Sequence, residues 1–198
     1  MLILRTNGFV SLPWKNGLGV SSVIASDPPG AGYDKVSWQV GTTAITAHCP
    51  FSSLPGMDRQ FTVLEGAGVE LTCVEPAAGV NIRKAVDAPH VPFAFRGDSV
   101  TTCRLLGGPV KVLNVMTRRG RAAANLGIRR FAGPLLMVQR PGETVLAVLL
   151  SGTAAVPGGG VPLAPNDTVR LEAASGDRCE IFAPQSGARI AIVRLSSV

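Results

Sequence analysis

Thr62-Val63-Leu64-Glu65-Gly66-Ala67-Gly68 is the stretch from which the fold can be predicted: an apolar run, a glycine turn and the start of a return strand. The same succession recurs in the second half of the chain at Val148-Leu149-Leu150-Ser151-Gly152-Thr153-Ala154. Apolar runs on either side of a glycine turn are typical of a β-hairpin. Because both copies keep the same order, we predict an internal repeat of one β architecture.

Two further features support the repeat. Gly97-Asp98-Ser99-Val100 corresponds to Asn166-Asp167-Thr168-Val169, where a turn opens a strand. Each half then closes with a Cys-x-[Leu/Ile] strand, a glycine turn and a last apolar strand, over 103–116 and 179–193. This pattern is typical of a cupin-type double-sheet barrel.

We therefore predict an all-β bicupin, in which one chain forms two cupin-type double-sheet β-barrels. Residues 1–118 would form the N-terminal barrel with a lid loop, and 119–198 the C-terminal barrel, packed as one globular unit. Only 120–126, with three alanines, favours a turn or two of helix. The β-branched and apolar runs predict strands near 36–47, 59–66, 68–75, 80–86, 99–106, 109–117, 128–139, 143–151, 153–156, 161–164, 167–173, 178–183 and 188–195.

The composition indicates a large interior. Charged residues make up 16% of the 198 positions, below the usual quarter or so for soluble domains. The formal net charge of +6 bears on solubility and on the approach of anions rather than on fold. The longest apolar stretch, 144–156, is interrupted and shorter than the roughly 20 residues of a spanning helix. With no signal-peptide pattern in 1–13, we expect a cytoplasmic protein without a membrane partner.

The cysteines and histidines point away from metal chemistry. Cys49, Cys73, Cys103 and Cys179 form no C-x-x-C pair, so they are expected to be buried structural thiols. His48 and His90 are the only histidines and are far apart in the chain. A three-histidine site is impossible, so we predict no metal and no cofactor.

The first candidate site segment is Pro13-Trp14-Lys15-Asn16-Gly17-Leu18-Gly19. It places an aromatic ring, a cation and an amide side by side in a rigid turn, which could form a lid over a pocket. Equally, Trp14 could plug one end of a barrel while Lys15 is solvated and Asn16-Gly17 is only a turn. The residues alone leave both interpretations open.

The second segment is 50–59, in which a proline-rigid loop delivers Asp58 and Arg59 to a strand. Arg59 could present its planar guanidinium to a carboxylate, held in place by Asp58. The alternative is a surface ion pair between the two residues, worth less than about 1 kcal/mol.

The third segment is 103–119, where Asn114 is a lone amide in an apolar strand. A buried amide must be hydrogen-bonded, so it lines a pocket or pins a turn. The arginine-rich stretch 118–130 follows. It could bind nucleic acid, but it offers only Phe131 for stacking, so a solvated connector is favoured.

These segments together resemble the HutD/Ves family of bacterial proteins. The similarity covers most of residues 10–120, and the second half matches only in its general strand pattern. The matching stretches are Pro13-Trp14-Lys15-Asn16-Gly17, Ile24-Ala25, the Trp38 strand, Pro50-Phe51-Ser52, Pro55-Gly56-Met57-Asp58-Arg59, Leu64-Glu65-Gly66-Ala67-Gly68, Pro92-Phe93-Ala94-Phe95, Gly97-Asp98, Cys103 to Pro109, Asn114-Val115-Met116 and Arg118-Arg119.

The resemblance implies a bicupin without metal, linked to histidine utilisation through binding of a pathway metabolite. The implied ligand-binding residues are Trp14, Lys15, Asn16, Trp38, Arg59, Phe95, Arg104, Asn114 and Met116. The chain departs from the family pattern where Leu18 replaces the usual Gly, Val23 replaces Glu, Gln39 replaces Arg and Val112 replaces Asp.

Three functions follow from these observations. The first is binding of a small carboxylate metabolite by Arg59, with a regulatory role in histidine catabolism. The second is a metal-free cupin enzyme, such as an isomerase, with Lys15 carrying a proton near Asp58; no catalytic residue is assigned. The third is a nucleic-acid or protein-interaction module formed by 118–130. We favour the first, with no nucleic-acid partner and with a possible homodimer.

Overall fold

The chain is all-β. The computed structural model describes residues 1–75, 79–158, 160–172 and 178–198. Within these ranges every regular element is a β-strand except one 3₁₀ turn, Thr6–Gly8. None of the described residues forms a helix that is long and apolar enough to cross a membrane.

The contacts within the chain divide it into two compact units. One unit is Val10–Ala122, and the other combines Met1–Phe9 with Ala123–Val198. The sequence predicted a boundary after residue 118, and in the structure the first of these units ends at Ala122. The first nine residues belong to the second unit because their strand, Leu2–Leu4, pairs with Thr168–Glu172. In chain order the strands are β1 (Leu2–Leu4), β2 (Val10–Pro13), β3 (Val20–Asp27), β4 (Trp38–Ile45), β5 (Cys49–Pro50), β6 (Met57–Glu65), β7 (Val69–Glu75), β8 (Val80–Val86), β9 (Phe93–Arg96), β10 (Val100–Leu105), β11 (Val110–Arg118), β12 (Ala122–Val138), β13 (Glu143–Ser151), β14 (Thr168–Glu172) and β15 (Arg178–Ser197).

The unit Val10–Ala122 consists of two antiparallel sheets. The larger has the order β2-β3-β4-β11-β6-β9 and the smaller β5-β10-β7-β8. Alternate residues of a strand point to opposite faces, and the inward apolar residues of both sheets form one core. That core includes Phe61 and Val63 from the larger sheet with Val69, Leu71 and Cys103 from the smaller.

The second unit is built on one sheet with the order β1-β14-β13-β15-β12. Its core lies on the strands that the sequence marks as apolar, including Val145, Leu149, Leu171 and Ile190, which are fully buried. The glycine turn predicted between strands at 178–183 and 188–195 does not end the strand, since β15 runs continuously over both.

The two glycine turns that suggested the repeat both have a positive φ, but neither closes the predicted hairpin, since β6 and β7 belong to different sheets and β13 pairs with β14 and β15. Gly66 has φ +97° and Gly152 has φ +81°, a region that residues with a Cβ rarely adopt. A Cβ on Gly66 would lie 2.5 Å from the carbonyl oxygen of Pro109, and one on Gly152 would lie 2.8 Å from that of Gly187. In both halves the turn packs directly against backbone that precedes a strand or lies within one.

The strand predictions succeed best where apolar runs are dense, as in β6, β7, β8, β11 and β13. The helix predicted over 120–126 is wrong, because this segment begins β12 and alternates a buried Ala122 and Leu126 with exposed neighbours. Alanine propensity amounts to a few tenths of a kcal/mol per residue, which strand pairing overrides. Residue 173, the end of a predicted strand, lies outside the described residues.

Candidate functional site

A small cavity lies in the unit Val10–Ala122. The centre of a water molecule can reach about 30 Å³ of it, which is room for about two ordered waters. All three candidate segments of the sequence contribute to its wall. The lining residues are Trp14, Ser21, Tyr33, Thr43, Ile45, Phe51, Ser52, Leu54, Arg59, Phe61, Val112, Asn114 and Met116.

Arg59 is the charged group of the cavity. It is only 8% exposed, and its Cζ lies 4.9 Å from the ring centroids of both Phe51 and Phe95. These distances are typical of cation–π contacts, which favour the cation without satisfying its N–H donors. Its Nε is buried without a hydrogen-bond partner among the described residues. The wall therefore presents an unpaired guanidinium.

Burial lowers the pKa of Arg59 to about 10, and the nearby Tyr33 and Cys73 offset part of this effect. No carboxylate contributes to the shift. A buried charge is normally paired because leaving water is costly. An anion bound at this point would therefore remove an existing penalty.

Asp58 does not hold Arg59, contrary to the sequence interpretation. The two are consecutive in β6, so their side chains lie on opposite faces of the sheet. Asp58 instead accepts a hydrogen bond from Arg119, which also binds the carboxylate of Asp98 and the carbonyl oxygen of Met57. The surface ion pair proposed between neighbours is therefore also wrong.

Hydroxyl groups form another side of the cavity. The Trp14 Nε1–H donates to Ser21 Oγ at 3.0 Å, and Ser21 Oγ lies 2.8 Å from Thr43 Oγ1. These three groups carry three donor hydrogens but share only two hydrogen bonds. One hydroxyl hydrogen is thus left without an acceptor among the described residues, and an anion could accept it.

Lys15 and Asn16 lie in the loop next to the cavity rather than in its wall. Lys15 Nζ donates to Asp34 at 2.9 Å, and Asn16 Nδ2 donates to the carbonyl oxygen of Pro50 at 3.0 Å. Both contacts tie the loop of Trp14 to neighbouring loops. Since Lys15 pairs with Asp34 and Asp58 with Arg119, the acid–base pair suggested for an enzyme is not assembled.

Arg118 fixes Tyr33, a lining residue that the sequence analysis missed. Its Nε donates to the carbonyl oxygen of Val36 at 3.0 Å and its Nη2 to that of Tyr33 at 2.8 Å. Two of the five arginines in 118–130 are thus engaged inside this unit, whereas Arg129 and Arg130 are exposed on β12.

Apart from Lys15 and Asn16, the implied ligand-binding residues divide into three groups. Trp14, Arg59, Asn114 and Met116 line the cavity, and Phe95 packs on Arg59. Arg104 points outward and pairs with Glu70 at 3.1 Å. Trp38 is opposite Thr117 in the pairing of β4 with β11, so it lies on the face away from Asn114 and Met116.

Strand alternation could have revealed several missed residues. Thr43 is paired with Val112 and Ser21, and Phe61 is paired with Asn114. These partners share one face with the predicted residues, but the pairing of strands distant in sequence was needed to see it. Phe51 lay within the second candidate segment and was not singled out.

The departures from the family pattern have different locations. Val112 lines the cavity and Gln39, which is 1% exposed, lies on the same sheet face beside Met116. Leu18 is exposed at 59% in the Trp14 loop. Val23 is in β3, opposite Gly41.

The residues that could bind metal are dispersed. Over the described ranges, no group of three or more His, Cys, Asp or Glu residues lies close enough to share an ion. His48 Nδ1 accepts a hydrogen bond from the backbone of Leu105. Three of the four cysteines are buried and all are free, and burial raises the pKa of Cys103 to about 12.

Comparison with known proteins identifies the family. The family model described as HutD matches residues 6–188. The chain belongs to the HutD family. It is 34% identical over 124 residues to an uncharacterised 21.2 kDa protein in the hutC 3′ region of Pseudomonas putida, covering 63% of this chain and 62% of that one. It is 35% identical over 116 residues to protein Ves of Citrobacter koseri, covering 58% and 56%. The HutD chain thus spans about three fifths of the length of these curated relatives.

Solved structures extend the likeness to the whole chain. HutD from Pseudomonas fluorescens SBW25, solved in a formate condition, has a TM-score of 0.77 at 28% identity and covers 100% of this chain and 98% of its own. An oxalate decarboxylase of Bacillus subtilis shares the fold, with a TM-score of 0.65 at 7% identity over 99% of this chain and 77% of its own. The all-β fold is therefore cupin-like.

Proposed function

We propose that this HutD protein binds a small carboxylate metabolite in the cavity at Arg59 and that binding has a regulatory role in histidine catabolism. The observation that carries the proposal is the buried guanidinium of Arg59, which has no carboxylate partner among the described residues. Carboxylates bind guanidinium groups through charge-assisted hydrogen bonds, which are stronger than hydrogen bonds between neutral groups.

The cavity also suits the carboxylate end of such a ligand in size and polarity. Its free space accommodates a group of a few atoms, and the Ser21–Thr43 pair supplies a spare hydroxyl donor. The solved relative in a formate condition offers formate as the smallest probe of this chemistry.

The link to histidine catabolism is supported by the gene context of a relative, and the contacts of Lys15 and Asp58 favour binding over catalysis. The Pseudomonas putida relative lies in the hutC 3′ region. General acid–base catalysis needs titratable groups within reach of a substrate, whereas Lys15 and Asp58 each pair elsewhere. We therefore place binding ahead of a metal-free isomerase.

We further propose that each unit is one cupin barrel of a bicupin. The two matched glycine turns support this, and so do two matched aspartates. Asp98 accepts a hydrogen bond from the backbone N–H of Gly56 and binds Arg119. Asp167 accepts a hydrogen bond from the backbone N–H of Ala164 and binds Arg5. Each aspartate thus accepts a backbone N–H and binds an arginine, although the N–H is 42 residues away for Asp98 and three residues away for Asp167.

A thermal-shift titration tests the binding. Formate, acetate and histidine-pathway carboxylates are added to the wild type, to Arg59→Met and to Arg104→Met. A ligand at 100 times its Kd adds about 2.7 kcal/mol of stability, which corresponds to a shift of several degrees. We expect this shift in the wild type and its absence in Arg59→Met. Arg104→Met is the control, because it removes the same charge outside the cavity, and it should keep the shift.

The unliganded proteins provide the internal check. Replacing an unpaired buried charge by an apolar side chain is neutral or stabilising, so Arg59→Met should melt no lower than the wild type. Equal ligand shifts in wild type and Arg59→Met would refute the role of Arg59. A response to divalent metals alone would refute a metal-free site.

A further inference from the structure

Three separate segments of the chain meet at the cavity. They are the tip of the β2–β3 hairpin, 14–19, the segment 28–37 that leads into β4, and the segment 50–56 that leads into β6. Each contributes a ring to the lining, from Trp14, Tyr33 and Phe51 respectively. Arg59 is only 8% exposed, and the free space of the cavity holds about two water molecules. An anion therefore reaches Arg59 only when these segments move apart.

The hairpin tip is a compact turn that projects beyond the sheet. Within it, the Trp14 N–H donates to the carbonyl oxygen of Gly19 at 2.8 Å, and the Gly17 N–H donates to that of Trp14 at 2.9 Å. Among the described residues β2 is the outer strand of its sheet, and the pairing of β3 with β4 begins only at Ser21. The sheet thus supports the base of the tip, and contacts with the other two segments hold the rest.

Two polar residues make those contacts. Lys15 Nζ donates to Asp34 Oδ1 at 2.9 Å, which joins the tip to the segment 28–37. Asn16 donates its backbone N–H to Ser52 Oγ at 3.2 Å and its Nδ2–H to the carbonyl oxygen of Pro50 at 3.0 Å. The tip is therefore fastened separately to each of the other two segments.

Asp34 lies beside an anchored part of the wall. Arg118 donates hydrogen bonds to the carbonyl oxygens of Tyr33 and Val36, at 2.8 and 3.0 Å, and so fixes this segment to β11. Lys15 ties the tip to it through one exposed ion pair. Because exposed ion pairs are weak and are screened by salt, this contact can break and re-form while the fold stays intact.

We propose that the Lys15–Asp34 ion pair is a latch on the cavity. While the pair is formed, the hairpin tip closes the way to Arg59. When the pair breaks, the tip separates from the other two segments and admits an anion. The inference rests on the proposed function, because a latch matters only where a ligand enters. It goes further by assigning Lys15 and Asp34 to entry and release rather than to affinity.

Hydrogen exchange of single backbone amides, followed by NMR, detects the opening without a ligand. The Asn16 N–H is bonded to Ser52 Oγ across the gap, so it exchanges when the tip separates. The Trp14 N–H is bonded to Gly19 inside the tip, so it stays protected. Losing an exposed ion pair changes an equilibrium by about twofold to fivefold. We expect Asp34→Asn to speed exchange at Asn16 by this factor and to leave Trp14 unchanged.

Glu65→Gln is the matched control. Glu65 is an exposed carboxylate that pairs with Lys111 at 3.5 Å, outside the lining of the cavity. The variant removes the same charge and should exchange at Asn16 like the wild type. In the wild type, 1 M salt should speed exchange at Asn16 relative to Trp14, because salt screens the latch. Asp34→Asn should show no such response.

The line shapes of formate in NMR titrations assign the latch to entry and release. A latch that is closed most of the time controls how often the cavity opens. Association and dissociation of formate should therefore both become about twofold to fivefold faster in Asp34→Asn, while the Kd stays within about twofold of the wild-type value. A change in the Kd with unaltered rates of association would assign Asp34 to affinity and overturn the latch.

The outcomes separate this inference from the function on which it rests. If formate does not bind the wild type, the proposed function fails, and the exchange rates still decide whether the tip opens at the latch. Equal exchange at Asn16 in the wild type and Asp34→Asn would overturn the latch, as would equal acceleration in Glu65→Gln. A wild-type rate at Asn16 that does not respond to salt would overturn it even should Asp34→Asn not fold.

Discussion

Asp58 and Arg59 are consecutive residues of β6 whose side chains lie on opposite faces of the sheet and do not form a pair. Asp58 is bound by Arg119 on one side, and Arg59 lies against Phe51 and Phe95 on the other. A strand thus separates two adjacent opposite charges. One becomes part of a structural cluster, and the other has no carboxylate partner among the described residues.

Arg119 is expected to stabilise the unit Val10–Ala122. Its guanidinium binds two carboxylates, those of Asp58 and Asp98, and the carbonyl oxygen of Met57. Because the side chain is partly exposed, we expect Arg119→Met to lower the free energy of unfolding by only about 1–2 kcal/mol. Urea titration measures this.

The control for that prediction is Arg121→Met, which removes an exposed arginine two residues away. Surface changes of this kind are usually within about 0.5 kcal/mol of neutral. In 1 M salt the effect of Arg119→Met should shrink because partly exposed ion pairs are screened. An equal loss in both variants would show that the cluster contributes only net charge.

Asp167 should make the second unit sensitive to acid. Burial by itself would raise the pKa of this carboxyl, but hydrogen bonds from Ala164, Arg5 and Thr6 together lower it below the ordinary 3.8. A carboxyl with a lowered folded-state pKa stabilises the fold above its unfolded pKa, and the contribution disappears as the pH falls through the folded value.

We therefore expect Asp167→Asn to cost about 2 kcal/mol at pH 7. The difference in unfolding free energy between variant and wild type should stay constant down to about pH 5 and then narrow towards pH 3 or below. Unfolding titrations at several pH values check this. A stability difference that remains constant down to pH 2 would contradict the lowered pKa of Asp167.

Gly152 should tolerate substitution less well than Gly142, although both have positive φ. Their φ angles are +81° and +76°, but a Cβ at Gly152 would lie 2.8 Å from the carbonyl oxygen of Gly187, while Gly142 has open space. The left-handed conformation costs each alanine about 1 kcal/mol. The clash at Gly152 should add about 1–3 kcal/mol.

Gly152→Ala and Gly142→Ala can be compared by thermal unfolding monitored by circular dichroism. Their difference isolates the close approach from the backbone strain that both share. If the two variants melt alike, the turn at Gly152 is not packed against Gly187.

The cavity shows how far sequence reasoning can reach. Trp14, Arg59 and Asn114 were identified by residue type in candidate segments and Met116 by family resemblance, and all four line the wall. Trp38 and Arg104 were carried over by resemblance, yet the register places Trp38 on the other face of β4 and Arg104 in an outward pair with Glu70. A motif marks a neighbourhood, but only register decides which face a side chain occupies.

Two of the strands absent from the sequence prediction, β2 and β3, have a common physical cause. β3 contains three serines and β2 contains a proline, so local propensity argues against both. Ser21 is nevertheless buried because it hydrogen-bonds with Trp14 and Thr43. Such bonds join residues whose proximity is created by the sheet itself.

The sequence by itself determined the all-β class, the glycine turns of the two halves and the presence of an arginine in a candidate binding segment. These features depend on local properties: side-chain alternation, the conformational freedom of glycine and residue chemistry. Only the tertiary structure decided that Arg59 is buried without a partner and that Asp58 belongs to Arg119. Pairing and burial depend on strands distant in the chain, because a charge is satisfied or left unpaired by whatever the register brings against it.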